Sequence, residues 1–328
     1  MGQKVRMADI AQRLGISIVS VSKALAGKDG VSEEMRARVV ALAAEMGYVA
    51  PGQSRADTAP GNIGILVADR FFDDSTFYSA LYREVLMRCT ASGYSALLEI
   101  VSPEREANCQ MPAMIVGHKV EGLIFMGEIN RAYFQAAVQA GLPFMLLDFY
   151  DDELAADCVI SDGVAGGYRL TRHLLEQGRA DIGFVGSIFA TSSIMDRYLG
   201  YTKAMLRAGH PPRAEWRLED RNAEGRFIPL QLPQVLPQAF VCSCDEVAFN
   251  LVEALKRRGC GIPGDVAVVG YDDYRFAQLC DPPLTTYRVN VEEMATAVVS
   301  QLIRKMRGKR IVAGNIVIAG QLVTRRST

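Results

Sequence analysis

Carboxylates recur just past the short apolar runs of this chain. Asp148 follows Phe144-Met145-Leu146-Leu147, Asp245 lies shortly after Ala239-Phe240-Val241, and Asp272 and Asp273 close Val266-Ala267-Val268-Val269-Gly270-Tyr271. Such runs have the length and composition of buried parallel strands, and ligands of parallel sheets sit at the strands' carboxyl ends. The candidate positions are therefore 69–74, 148–150, 187–197, 244–245 and 272–273. Carboxylates accept from hydroxyls and a guanidinium forks onto adjacent oxygens, so acids and an arginine aimed into one cleft suit a neutral, hydroxyl-rich ligand. Phe72, Phe77, Tyr78, Phe149 and Trp216 are aromatics able to cover the apolar face of a sugar ring, or else to pack in a core or an interface.

A second chemistry is written near the start of the chain. Met7, Ile10, Ala11 and Leu14 fall at helical spacing, Gly15 tolerates the positive φ of a helix exit, and Ser17 can cap a new helix starting at Ile18. Two helices joined by so short a turn form a helix-turn-helix, whose second helix enters the DNA major groove. There Val21, Ala24 and Leu25 serve the core, which leaves Ile18, Val19, Ser20, Ser22 and Lys23 facing outward. The two β-branched residues can touch a thymine methyl and Lys23 can donate to guanine or phosphate; the alternative is that Ile18 and Val19 pack under a neighbouring element. Met7, Ser17, Lys28 and Arg55 complete the candidate DNA contacts. Ser32 caps a third helix, 33–46, with Met35, Val39, Leu42 and Met46 on one stripe.

These residues need elements to hold them. Residues 49–62, VAPGQSRADTAPGN, lack apolar periodicity and read as a linker. From residue 63 apolar strands alternate with amphipathic helices: strands at 63–67, 95–101, 122–126, 144–147, 182–185, 239–241 and 266–269, helices at 77–91, 111–118, 131–140, 162–177, 194–208 and 246–257. That alternation predicts parallel sheets covered on both faces, in two doubly wound lobes across a cleft. The fold class is thus an all-α helix-turn-helix headpiece, residues 1–48, followed by the 49–62 linker and an α/β domain of two doubly wound lobes, residues 63–328, a layout that resembles periplasmic-binding-protein-like domains.

Residues 5–48 closely resemble the headpiece of the LacI/GalR family of bacterial repressors, including Val-Ser-Lys-Ala-Leu and the Gly47-Tyr48 that ends the third helix. The resemblance extends through 162–186, through Asp196-Arg197-Tyr198-Leu199-Gly200-Tyr201, and through Val269-Gly270-Tyr271-Asp272-Asp273 with Pro282-Pro283-Leu284-Thr285-Thr286. It implies that Arg197 and Asp272 are the leading effector contacts, followed by Asp148 and Asp245; the strand-end rule adds Asp74, and the aromatic faces add Phe72 and Phe77, to the candidate effector site. Cys244 stands where the family often has asparagine, and Arg179 where histidine is common. The family's hinge inserts a leucine into the minor groove; no leucine occurs in 49–62, and Pro51 and Pro60 leave room for only a short helix. The ending 322–327 is similar to the family's final strand and lacks a zipper tail, which implies a homodimer.

Composition sets outer bounds. The 328 residues carry a net charge of −1, but residues 1–48 carry seven bases against five acids, a mild positive bias that suits DNA. No apolar run approaches a membrane span and no export signal opens the chain, so a cytoplasmic protein with no membrane partner is expected. Seven scattered cysteines suggest reduced thiols. The three isolated histidines, and the absence of Gly-x-Ser-x-Gly, phosphate-loop and His-Glu-x-x-His patterns, argue against an enzyme and against any cofactor or metal. The expected function is a DNA-binding transcriptional regulator, a repressor whose hold on a near-palindromic double-stranded operator is set by a small carbohydrate. A purine or nucleoside effector is the alternative, and a stand-alone sugar receptor the remote one.

Overall fold

The computed structural model describes residues 7–25, 30–46, 61–72, 76–154, 156–309 and 314–328. The chain divides into two compact units, Met1–Gly61 and Asn62–Thr328. Nearly all of the 49–62 linker, with Lys28, Arg55 and Asp74, lies outside the described residues.

In the first unit α1 (Met7–Leu14), α2 (Ile18–Leu25) and α3 (Glu33–Glu45) enclose a small core of Ile10, Ala11, Val21, Ala24, Val39 and Ala43. Gly15 turns the chain at φ +67°, as a helix exit in the left-handed region requires. The Ser17 hydroxyl accepts from the Ser20 N–H at 3.1 Å and Ser32 from the Met35 N–H at 3.3 Å, each meeting an amide that the helix start leaves unpaired.

The second unit begins with β1 (Asn62–Ala68), α4 (Thr76–Ala91), β2 (Ser95–Val101), α5 (Pro103–Ala107), α6 (Ala113–Val116), β3 (Gly122–Met126), α7 (Arg131–Val138), β4 (Phe144–Leu147) and β5 (Cys158–Ser161). The chain then crosses to a second lobe: α8 (Gly163–Glu176), β6 (Ile182–Val185), α9 (Ser192–Arg207), β7 (Arg217–Leu218), β8 (Ala239–Cys242), α10 (Asp245–Arg257), β9 (Ala267–Asp272), α11 (Arg275–Leu279) and β10 (Thr285–Arg288). It returns to the first lobe as α12 (Val291–Met306) and β11 (Asn315–Ile318), and ends in the second as β12 (Gln321–Val323). The sheets run β2-β1-β3-β4-β5-β11 and β7-β6-β8-β9-β10-β12. All the strand pairs are parallel except β10 with β12.

Alternate residues of each strand serve opposite faces. In the first lobe Ile63, Ile65, Val67, Ile124 and Met126 pack with Leu81 and Val85 of α4 and Val298 and Leu302 of α12, while Leu66, Leu123, Phe125 and Leu146 pack with Ile115 and Phe134 on the other face. The second lobe repeats this scheme, with α8 and α9 on one face and α10 and α11 on the other. Burial on both faces is why these strands are apolar throughout.

The helix expected at 111–118 is a single turn, α6, which begins only after Pro112, where the Glu99 carboxylate accepts from the Ala113 and Met114 N–H groups at 2.9 and 3.1 Å. Elements unforeseen in the sequence complete the lobes: the short α5, β7 and α11, and the larger additions β5, β10, α12 and β11. Within the stretch compared with a family's final strand, pairing stops at Val323, yet Ser327 is fully buried and its hydroxyl bridges the Thr285 N–H and the Val268 carbonyl. Among the described residues no helix is long and apolar enough to cross a membrane.

Candidate functional site

On the first unit, Ile18 and Val19 stand at the start of α2 with 51% and 64% of their surface exposed. They do not pack within the headpiece, whose core is filled without them. Ser22 and Lys23 are exposed on the same helix, and the Lys23 ammonium lies beside Gly30, 3.3 Å from where a Cβ there would stand. Ser17 and Ser20 share a 2.9 Å hydrogen bond between hydroxyls, so both help to build the helix start. Met7 is partly buried against the headpiece core. The exposed face left by these contacts is Ile18, Val19, Ser22 and Lys23.

In the second unit, strand order reverses between β1 and β3 and again between β6 and β8, and the two reversals face one cleft. Flanking helices diverge at such a point and leave room for a ligand beyond the strand ends. The inner part of this cleft is a pocket of about 730 Å3, including some open solvent, lined from both lobes by Phe71, Phe77, Tyr78, Asp148, Arg197, Arg221, Cys244, Asp245, Asp272 and Tyr274, among others.

Arg197 organises it. Its guanidinium is buried, lies 3.9 Å from the Tyr271 ring centroid, donates to the Ser243 carbonyl at 2.5 Å and stands 3.6 Å from Asp272 Oδ1. Burial alone would favour loss of its proton, but Asp272, Tyr271 and Asp148 outweigh that and keep it charged, its pKa above the ordinary value. Its backbone is fixed by close helix packing: a Cβ on Gly167 of α8 would stand 2.2 Å from the Arg197 carbonyl oxygen. Arg197 Nε and Asp272 Oδ1 are both buried and have no hydrogen-bond partner among the described residues. Both therefore keep hydrogen-bonding capacity inside the pocket, although Oδ1 also stands in the 3.6 Å ion pair with the guanidinium.

The three acids differ in their work. Asp148 accepts from the Tyr78 hydroxyl at 2.8 Å; burial pushes its carboxyl up to about 6, despite the lowering effect of Arg197 and Tyr78. Asp272 is also raised, by burial first, with Arg197 opposing and Asp148 adding to it. Asp245 is raised by burial and by Asp272, but its oxygens are engaged: Oδ1 accepts from the Thr286 hydroxyl at 2.6 Å and Oδ2 from the Tyr274 N–H at 2.8 Å. Asp245 thus lines the pocket while bracing the loop after β9. Asp148 and Asp272 take positive φ values of +65° and +109°. Such backbone conformations are strained for residues with a side chain and concentrate where a side chain must be aimed.

The aromatics divide differently from the sequence expectation. Phe77 and Tyr78 reach the inner pocket, but Phe71 rather than Phe72 lines it; the Phe72 ring meets Tyr82 edge-on at 6.1 Å. Trp216 is buried away from the pocket, its indole N–H donating to the Val235 carbonyl at 3.1 Å and Arg213 stacked at 4.4 Å. Phe149 is buried in the first lobe's core. Cys244 lines the pocket as a thiol that burial pushes up to about 12, and so as a neutral, weakly polar surface. Arg179 is spent on structure, donating to the Gln238 and Pro263 carbonyls. Arg70, within the strand-end stretch 69–74, also lines the pocket, whereas sequence reasoning missed Arg221 and Tyr274 there. Tyr274 follows Asp273 directly, so the strand-end rule extended by one residue finds it; Arg221 carries no sequence signal.

Comparison with known proteins covers both units. Residues 6–50 match the family model for bacterial regulatory proteins of the lacI family, and residues 171–328 match that for a periplasmic binding protein-like domain. The chain is 26% identical over 327 residues to the ribose operon repressor of Haemophilus influenzae, with 98% of each chain covered. It is 27% identical over 331 residues to the HTH-type transcriptional repressor CytR of Escherichia coli, covering 98% of this chain and 96% of the other. It is 26% identical over 309 residues to the repressor PurR of Glaesserella parasuis, at 91% and 89% coverage. Among solved structures, a complex of the transcriptional regulator CelR with cellobiose aligns at TM-score 0.71 and 20% identity, covering 99% of this chain and 100% of that one. The lac repressor dimer bound to operator and the anti-inducer ONPF aligns at 0.69 and 23%, with 99% of each covered. These structures share the fold.

Proposed function

The chain belongs to the lacI family of bacterial regulatory proteins, and on that premise we propose that it is a DNA-binding transcriptional repressor whose operator affinity is set by a small neutral carbohydrate in the interlobe pocket. Residues 1–48 read DNA, 49–62 link, and 63–328 bind the effector and dimerise. A homodimer sets Ile18, Val19, Ser22 and Lys23 of each subunit into successive major-groove half-sites of a near-palindrome. Closure of the lobes on the effector alters the relation of the two headpieces, and a coupling of roughly 1–3 kcal/mol suffices for a usable switch. The protein acts by binding rather than catalysis, in the cytoplasm where its DNA is.

The observation that carries the effector class is that Arg197 Nε, a donor, and Asp272 Oδ1, an acceptor, are buried at the pocket with hydrogen-bonding capacity to spare. A hydroxyl can do both jobs, accepting from the guanidinium and donating to the carboxylate. Asp148 across the cleft offers a second acceptor, and the Phe71 and Phe77 rings supply apolar surface. A strongly anionic ligand would meet Asp148 and Asp272 at close range.

The test is a thermal-shift screen of the purified protein against neutral sugars, sugar phosphates, nucleobases and nucleosides, since a ligand of the folded state raises apparent stability. A neutral saccharide is expected to raise the melting temperature, and Arg197→Ala to abolish that shift while leaving operator affinity unchanged. A shift confined to purines, nucleosides or phosphorylated sugars replaces the carbohydrate reading. A shift that survives in Arg197→Ala removes the pocket assignment.

A further inference from the structure

Past Arg70, Thr191, Arg221 and Gly225, which line both spaces, the inner pocket continues into a wider hollow of about 2420 Å3, including open solvent. Its walls come from both lobes, Glu128, Asn130 and Asp151 from the first and Phe189, Ser192 and Asn222 from the second. Phe189 is 86% exposed although Ile188 beside it is buried. The turn that carries Phe189 is firmly anchored. The Ser187 N–H donates to Asp220 at 2.7 Å, its hydroxyl donates to the Arg221 carbonyl at 3.2 Å, and the Ala190 N–H closes the turn onto the Ser187 carbonyl at 2.9 Å. A phenyl ring exposed on so fixed a turn, lining a hollow continuous with the inner pocket of Arg197 and Asp272, has the character of a presented surface.

We propose that this outer hollow is a second effector subsite, taking the next ring of a neutral oligosaccharide whose first ring is held by Arg197 and Asp272. The inference rests on the carbohydrate reading of the inner pocket and adds the size of the effector to it. Phe189 covers the apolar face of the outer ring, and Glu128, Asn130 and Asp151 face its hydroxyl edge. One apolar face beside a polar, wet wall matches a pyranose, which is itself divided into an apolar face and a hydroxyl rim.

The experiment is calorimetric titration of the full-length wild-type protein and Phe189→Ala with glucose, cellobiose and cellotriose, with maltose and maltotriose, with xylose, xylobiose and xylotriose, and with cytidine and adenosine. In one saccharide series the two-ring member is expected to bind at least ten-fold more tightly than the one-ring member. Phe189→Ala should cut that ratio to within about two-fold without changing the one-ring affinity. Because Phe189 is exposed, the variant's melting temperature should match the wild type and exclude misfolding. Equal binding of one and two rings, or a ratio that survives in Phe189→Ala, overturns the outer subsite while leaving the inner one standing. Binding of a nucleoside alone, or of none of these saccharides, overturns the carbohydrate reading and the outer subsite together.

Discussion

A carboxyl group buried opposite a guanidinium is a source of pH dependence as well as of recognition. The Asp148 carboxyl lies at about 6 in the folded protein, above its ordinary value of 3.8, because burial penalises the charged form. The folded state therefore holds the proton more tightly than the unfolded chain. The stability this contributes is fully present below about pH 4 and is lost as the pH rises through 6. Asp148→Asn keeps an oxygen to accept from Tyr78 and tolerates the left-handed backbone. It should raise the melting temperature of the ligand-free protein at pH 7.5 by about 2 °C and flatten the stability profile between pH 4 and 7, as read by thermal denaturation across that range. A wild-type profile that does not fall over that interval counts against the buried-carboxyl account. On the headpiece, Lys23→Ala should weaken specific operator binding by about 1–3 kcal/mol if the ammonium reads a base edge. Equal losses on operator and random DNA in a gel-shift titration would reduce Lys23 to a phosphate contact.

Arg197 can be aimed only because two helices touch at backbone distance. The contact of α8 with α9 is made by glycines on both sides: a Cβ on Gly167 would stand 2.2 Å from the Arg197 carbonyl oxygen and one on Gly200 2.2 Å from the Val164 carbonyl oxygen. Gly167→Ala is expected to cost about 1–3 kcal/mol of domain stability by overpacking and, by pushing α9 outward, to weaken the effector response more than it weakens operator binding. Chemical denaturation and effector titration of the same variant check both parts. Much of the pocket is legible in the sequence. Asp148, Asp245 and Asp272 stand out because an acid that follows a buried parallel strand sits at the end of the sheet where ligands bind. Arg221 is not legible, since an irregular segment aims it and irregular backbone has no period to read. β5 and β11 are only four residues long, β11 is also largely exposed, and α12 looks like any amphipathic helix. That α12 covers the first lobe, some 130 residues upstream of it in the chain, is a fact of topology that no local pattern encodes.

At the scale of the whole effector unit, the lobes are fastened by a few polar contacts across the cleft. The Tyr150 hydroxyl donates to Asp196 at 2.9 Å, the Ser192 N–H donates to Glu128 at 3.0 Å, and Arg226 pairs with Asp69 at 3.3 Å. Each is weak alone, which suits a clasp that must open. Tyr150→Phe removes one fastening and should speed effector release about three- to ten-fold, with operator affinity unchanged, in stopped-flow measurements. Unchanged release would mean that Tyr150 takes no part in closure. The three crossings of the chain between lobes have another consequence, which concerns how the protein is made. The first lobe is begun by residues 62–161 but completed by α12 and β11, which come late in the chain. While the chain emerges from the ribosome, that lobe stands with one face of its sheet covered only in part, by α4, until α12 arrives. The two lobes should therefore mature together rather than in order of synthesis, and a chain cut short before residue 291 should leave neither lobe a finished domain and be a substrate for chaperones and proteases.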